Sequence, residues 1–256
     1  MKQQSRFVGL FKRIRSRSGV LAFSDTIDHV KHSEPPPRLE WARELAQPIA
    51  GRRIVDVGCW TGGMLKLLVP LEPAELMGID VAGPWIHAAE EAVPSARFLE
   101  VATLTDLPAS LERHFDVVML LETIEHLPRG TETSALRSLA SLLAPDGYLL
   151  LSTPAAGISA PLDPAWFLVG HRHYRLVTLT KLFSSAGLEV RRVYYSGNFW
   201  TSLDTFMLYF WKHVLRRTYV SPAMIASREP NGVYERRRPT SANIWLEARL
   251  KEESRI

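Results

Sequence analysis

The run Ile54-Val55-Asp56-Val57-Gly58-Cys59-Trp60-Thr61-Gly62-Gly63 decides the fold. A short apolar strand passes directly into a glycine-bearing turn, and a helix-period stretch follows over 64–68. This is how a parallel α/β unit opens. In an open α/β sheet, ligands bind beyond the carboxyl ends of the strands where strand order reverses, so the turn is a ligand site by architecture. Gly58 and Gly62 are expected to let the backbone approach a ligand where a β-carbon would clash. The start of the following helix would offer amide groups to a carboxylate.

Working outward, strand-length apolar runs at 76–79, 97–101, 117–121 and 148–152 alternate with helix-period stretches, and two later strands are expected at 188–195 and 244–249. Alternating β and α elements imply a parallel sheet covered on both faces. The interval between the last two strands carries Phe199, Trp200, Phe206, Tyr209, Phe210 and Trp211, so it should hold helices of its own. The expected domains are a basic arm or lid over 1–37 and one α/β domain over 38–256, with an aromatic insertion at about 197–240.

The chain has 256 residues, 46% of them hydrophobic and 23% charged, which are globular proportions. One cysteine, Cys59, excludes an internal disulfide framework and a multi-cysteine zinc site, and favours a reducing, cytoplasmic compartment. The net charge is +4, but residues 1–20 hold six basic residues and no acid, leaving −2 for the rest. Nucleic acid is therefore not an expected partner. Phe7, Leu10, Phe11 and Ile14 recur at helical spacing within that basic stretch, which suits either a docking helix or contact with an anionic bilayer. No run is long enough to cross a membrane as a helix.

Asp80 ends the second strand, 24 residues after Asp56. An acid at that tip can accept hydrogen bonds from both hydroxyls of an adenosine ribose. No Lys or Arg lies between Gly58 and Gly63, which disfavours a phosphate ligand, and Gly58-Cys59-Trp60 lacks the second glycine of the nicotinamide-binding fingerprint.

The order DVGCWTGG, GID, FDVVMLLETIEHL, LLAPDGYLLLSTP resembles the class I S-adenosylmethionine-dependent methyltransferases over about residues 50–195. The likeness is greatest to the glycan and small-molecule branch that includes ubiquinone-biosynthesis O-methyltransferases. It implies a three-layer Rossmann-like α/β fold with a seven-stranded, mostly parallel sheet whose last strand is antiparallel, and a helical insertion between strands six and seven. It also implies S-adenosylmethionine as cofactor. By this resemblance Asp56 and Gly58 line the methionine end, Cys59 and Gly62 form the turn, Asp80 holds the ribose and Val81 lies beside the adenine. Leu120 and Leu121 end the fourth strand facing the cofactor. Two positions depart from the family: Trp60 replaces a usual glycine, and Thr103 stands where an acid near the adenine amine is expected, with Asp106 as a substitute.

Methyl transfer from a sulfonium is an in-line displacement, so the protein must align a nucleophile and remove its proton. Glu122, Glu125 and His126 share a face if the segment after the fourth strand is helical. His126 is then a general base near neutral pH, oriented by Glu125 or Glu122. A divalent cation held by these groups with His171 or His173 is the less favoured alternative, and the segment resembles the metal site of small-RNA 2′-O-methyltransferases. A purely structural role for the three is the third reading. Alternation in the extended 171–173 segment puts His171 and His173 on one side and Arg172 on the other, where the two imidazoles would border the acceptor pocket.

The stretch 198–219 reads as an aromatic helix ending in Lys212, His213, Arg216 and Arg217. It suits a lid, a dimer surface or a lipid-headgroup interface. The expected acceptor is a hydroxyl on a glycan or lipid-linked saccharide, with a quinone or phenolic small molecule as the alternative and peripheral membrane contact compatible with either. A cofactor-binding assembly subunit without activity is a reading of a different class.

Overall fold

The structure is a computed structural model that describes residues 37–81, 83–105, 107–163, 171–211, 215–226, 228 and 232–252. The basic arm and its apolar stripe lie outside the described residues, as do Asp106, Lys212 and His213.

Helix α1 (Pro37–Leu45) precedes strand β1 (Arg53–Val57), helix α2 (Gly63–Leu68), strand β2 (Glu75–Asp80), helix α3 (Gly83–Ala92), strand β3 (Arg97–Glu100) and strand β4 (Phe115–Leu121). Helix α4 (Glu132–Leu142), strand β5 (Leu143–Pro154), helix α5 (Leu176–Ser185) and strand β6 (Leu188–Ser196) follow. Helices α6 (Phe199–Phe210) and α7 (Ala223–Ala226) then lead to strand β7 (Asn243–Leu250). The seven strands form one sheet in the order β3-β2-β1-β4-β5-β7-β6. β1 through β5 pair in parallel, and β7 runs antiparallel to both β5 and β6.

Period-two alternation builds both faces of this sheet. Val55, Val57, Met77, Ile79, Val118, Leu120, Leu149 and Leu151 point to one core with Leu136 and Leu139 of α4 and Leu179 and Phe183 of α5. Ile54, Leu76, Val117, Met119 and Leu150 point to the other with Ala42, Leu65, Leu68 and Ile86 of α1, α2 and α3. Burial on both faces is why these strands read as nearly continuous apolar runs. The expected three-layer Rossmann-like fold is present, and β1 sits between β2 and β4, where the strand order turns back.

Two elements differ from the sequence expectation in extent. β5 starts at Leu143, directly after α4, because Leu143 pairs with Phe115 before a register shift at Val117. A β-carbon on Gly147 would lie 2.8 Å from the Phe115 carbonyl oxygen, so the strand stays close only with glycine there. The aromatic stretch also differs: its α-helical part spans Phe199–Phe210, Trp211 and Leu215 carry π-helical backbone, and Arg216 has a left-handed φ of 52°. Asn198 fixes its start: its side chain accepts from the amides of Trp200 (2.8 Å) and Thr201 (3.2 Å), while Thr201 returns a bond to the Asn198 amide. α6 packs against a 3₁₀ turn at Ala160–Leu162, beyond the carboxyl end of β5. Among the described residues, no helix is long and apolar enough to cross a membrane.

Candidate active site

The turn after β1 is held in shape by left-handed backbone and by its neighbour strand. Gly58, Trp60 and Gly62 have φ of 78°, 48° and 75°. The amides of Gly58 and Cys59 both donate to the carbonyl of Ile79, at 2.7 and 3.1 Å, which pins the turn to the end of β2. Packing by itself already requires both glycines. A β-carbon on Gly58 would overlap the Thr123 side chain, and one on Gly62 would lie 3.2 Å from Ala89 Cβ in α3. Protein atoms fill the space that the missing β-carbons leave, so these glycines serve packing and left-handed geometry.

Asp80 closes the other side of the turn. Its Oδ2 accepts the Trp60 amide at 2.9 Å and its Oδ1 accepts the Val81 amide at 2.7 Å. The Trp60 indole stands edge-on to Trp85 of α3, with centroids 5.7 Å apart. Burial, followed by the charge of Asp80, raises the Asp56 carboxyl to about 7. Burial also pushes the Cys59 thiol up, which makes it a packing residue rather than a nucleophile.

The hydroxyl of Thr61 is buried within this turn and has no hydrogen-bond partner among the described residues. An orphaned donor, the buried acid at the end of β2 and the half-exposed apolar side chain of Val81 fit a ligand with polar and aromatic parts, as an adenosyl group has. Leu121 is half-buried at the end of β4, whereas Leu120 is fully buried in the core behind it. Thr103 is exposed, with its hydroxyl 2.9 Å from that of Thr105.

Beyond β4 the chain does not continue as the expected helix. Glu122 has φ of 48°, and only Ile124–His126 form a 3₁₀ turn, so Glu122, Glu125 and His126 do not lie along one helical face. Glu122 instead receives hydrogen bonds from Ser152 Oγ at 2.7 Å and from Asn243 Nδ2 at 3.0 Å. Glu125 is 3% exposed and accepts from Thr153 Oγ1 at 3.1 Å, while its Oε1 is buried without a partner among the described residues. Burial, then the charge of Glu122, holds the Glu125 carboxyl well above the ordinary carboxylate range. The bonds of the two acids run to β5 and β7, so neither orients His126. His126 retains an open face, yet desolvation and then the charges of His171 and Arg172 lower it to about 4, and it is a weaker base than the sequence alone implies. Among the described residues, no group of three or more His, Cys, Asp or Glu side chains is arranged to hold a metal ion.

The 171–174 segment completes the site. His173 Nε2 lies 3.2 Å and His171 Nδ1 3.7 Å from the same oxygen of Asp163. The His171 ring meets that of His126 edge to face, with centroids 4.4 Å apart. Arg172 points the other way, as alternation requires, and donates to the carbonyls of Ile124 (2.8 Å), Leu127 (2.6 Å) and Glu125 (3.2 Å) while pairing with Glu132. This arginine holds the 3₁₀ turn in place. Arg172 and Asn243 were not identifiable as site residues from sequence, because they act on partners 40 to 48 and 121 residues away in the chain, and Asp163 sits in no recognisable motif. Tyr209 of α6 faces Asp163 and Arg38, and burial followed by the charge of Asp163 raises its phenol.

A family model described as a methyltransferase domain matches residues 23–193. The chain belongs to the S-adenosylmethionine-dependent methyltransferase family. This methyltransferase-family chain is 35% identical over 127 residues to a ubiquinone biosynthesis O-methyltransferase of Albidiferax ferrireducens, covering 48% of each chain. It is 36% identical over 179 residues to the enzyme of the same name from Xanthomonas axonopodis pv. citri, covering 63% of this chain and 72% of that one. In most of these pairings the match spans about half the length of the relative. Among solved structures, a putative methyltransferase of Haloferax volcanii in complex with the Trm112 activator superposes with a TM-score of 0.63 at 18% identity, covering 90% of this chain and 96% of that one. A TehB-like S-adenosylmethionine-dependent methyltransferase of Corynebacterium glutamicum gives 0.55 at 16% identity, covering 95% and 99%. At these identities the likeness is one of fold.

Proposed function

We propose that this chain transfers a methyl group from S-adenosylmethionine to a ring hydroxyl of an apolar phenol or quinol. The observation that carries the reading is the juxtaposition of two half-sites across β1 and β4. On one side the Asp80 carboxylate and the orphaned Thr61 hydroxyl line the turn. On the other, His126, His171, His173 and Asp163 gather beyond β4 and β5 under an aromatic helix.

When bound, the sulfonium supplies the methyl group, and its carbon–sulfur bond breaks with the electron pair passing to sulfur. The residues of this chain must then hold the ligand, exclude water and remove the acceptor's proton. Asp80 accepts the ribose hydroxyls, and Asp56, once ionised, complements the cationic methionine end. A phenol of pKa about 10 is roughly one part in a thousand ionised at pH 7, so a positioned base speeds transfer. A sugar hydroxyl is far less acidic and demands more of the same groups. That difference, the names of the relatives and the aromatic cover of α6 favour the phenolic acceptor over the glycan that the sequence put first. Exposed Phe199, Phe206 and Phe210, which recur along one face of α6, suit an acceptor with an apolar tail delivered from a membrane surface.

The test is incubation of the protein with S-adenosylmethionine and 4-dodecylcatechol, following S-adenosylhomocysteine and the methylated product by mass spectrometry. Product is expected. Turnover of a lipid-linked saccharide but not of the catechol would reverse the order of the two acceptors.

A further inference from the structure

The proton acceptor is the part of this chemistry that the described groups single out most sharply. We propose that His171, rather than His126, is the general base, with Asp163 holding its Nδ1 and His173 bracing Asp163 from the other side. This rests on the hydroxyl-methylating reading above.

Three geometric facts support it. First, His171 presents its Nδ1 to Asp163 at 3.7 Å. This is ion-pair range, and catalytic contacts of this kind tighten when substrate closes a site. A carboxylate at Nδ1 selects the tautomer that keeps its proton there and leaves the Nε2 lone pair free to accept one. Second, His173 offers Asp163 its Nε2 at 3.2 Å, and only 9% of its side chain is exposed against 18% for His171. His173 is therefore oriented as a brace, and His171 as the member open to the site. Third, the segment is rigid. Arg172 between the two imidazoles is bonded to three carbonyls of the 124–127 turn and to Glu132, so the alternation that aims both rings at Asp163 is fixed.

The charged and titratable groups around His171 are Asp163, His126 at its ring edge, His173 and Arg172, with Tyr209 facing Asp163 from α6 and Glu132 reached through Arg172. His126, nearest the end of β4, is pressed toward its neutral form chiefly by desolvation and serves to wall the His171 ring. In the reaction the acceptor hydroxyl gives its proton to His171 Nε2. An oxygen lone pair forms the new oxygen–carbon bond as the carbon–sulfur pair leaves on sulfur. The imidazolium formed is stabilised by Asp163 and returns its proton to solvent after product departs.

The experiment uses the full chain and two variants, His171→Gln and Asp163→Asn. Calorimetry with S-adenosylmethionine checks that each variant folds and keeps its cofactor affinity within about twofold. Single-turnover methylation of 4-dodecylcatechol is then followed from pH 5 to 9, and ¹⁵N-histidine spectra report the His171 tautomer. His171→Gln should lose about a hundredfold or more of the transfer rate, the ordinary contribution of a positioned base. Asp163→Asn should mix the His171 tautomers, which a merely structural role would not do. Retention of the wild-type rate within threefold in His171→Gln overturns the assignment. If wild-type protein binds S-adenosylmethionine yet leaves the catechol untouched, the acceptor reading fails instead. The Asp163–His171 pairing then stands or falls on the spectra, and an unchanged tautomer in Asp163→Asn overturns it.

Discussion

The Asp80 carboxylate receives the Trp60 amide at 2.9 Å, so the tip of β2 holds a left-handed residue of the β1 turn in place. One acid thereby shapes the turn and lies beside the proposed cofactor site. Tryptophan at a position that is glycine in the resembling enzymes is accommodated by this bond and by the edge contact with Trp85.

Asp80→Ala should therefore weaken S-adenosylmethionine binding by at least about tenfold, since hydrogen bonds to a charged group each contribute about 1.5–3 kcal/mol. Asp80→Asn should fall between the two, because an amide oxygen still accepts. Calorimetry checks this, and unchanged affinity in the alanine variant removes the ribose assignment.

Asp56 gives a pH dependence with a defined sign. Its folded value of about 7 lies above the ordinary 3.8, so the folded state binds the extra proton between those limits. Stability is lost as pH rises through that window, by about 4 kcal/mol at its upper end. Asp56→Asn should raise the melting temperature at pH 8 and change it little at pH 4. Cofactor affinity of the wild type should strengthen as pH rises through 7, when the ionised acid can meet a cationic ligand. A flat binding profile from pH 6 to 8 would count against Asp56 at the methionine end.

Gly58→Ala should destabilise the fold by a few kcal/mol, on the order of 2–3, because it combines φ of 78° with overlap onto Thr123. Adding Thr123→Ala should recover part of the loss and leave the backbone strain. Equal melting temperatures for the single and double variants would show that the overlap is relieved some other way.

Arg172→Met should cost roughly 3–5 kcal/mol, since it removes the cation that Glu132 pairs with and the guanidinium donor to the carbonyls of Ile124, Glu125 and Leu127. Arg172→Lys should recover little, because one ammonium cannot reach the partners that a planar guanidinium spans. Chemical denaturation measures both, and a lysine variant as stable as wild type would refute the role of the fork geometry.

The succession of strands and helices followed from the sequence because its evidence is local. A strand buried on both faces is an apolar run such as 54–57 or 117–121, and the elements between them carry a different period. The turn after β1 and the acid at the end of β2 were legible for the same reason: each sits at a fixed offset from a strand end. The extent of β5 was not, since Leu143 joins the sheet through pairing with Phe115, a contact that no local pattern encodes.

The acceptor side shows the limit most clearly. The sequence by itself determined that Glu122, Glu125, His126, His171 and His173 come near the ends of β4 and β5, because their distance along the chain from those strands is short. It also determined that His171 and His173 share a side, since alternation in extended backbone is a local rule. Only the tertiary structure decided which groups meet: Glu122 turns to Asn243 on β7, Glu125 to Thr153, and both imidazoles to Asp163. Hydrogen bonds and desolvation depend on where distant segments are packed, and the same packing lowers His126 and raises Glu125.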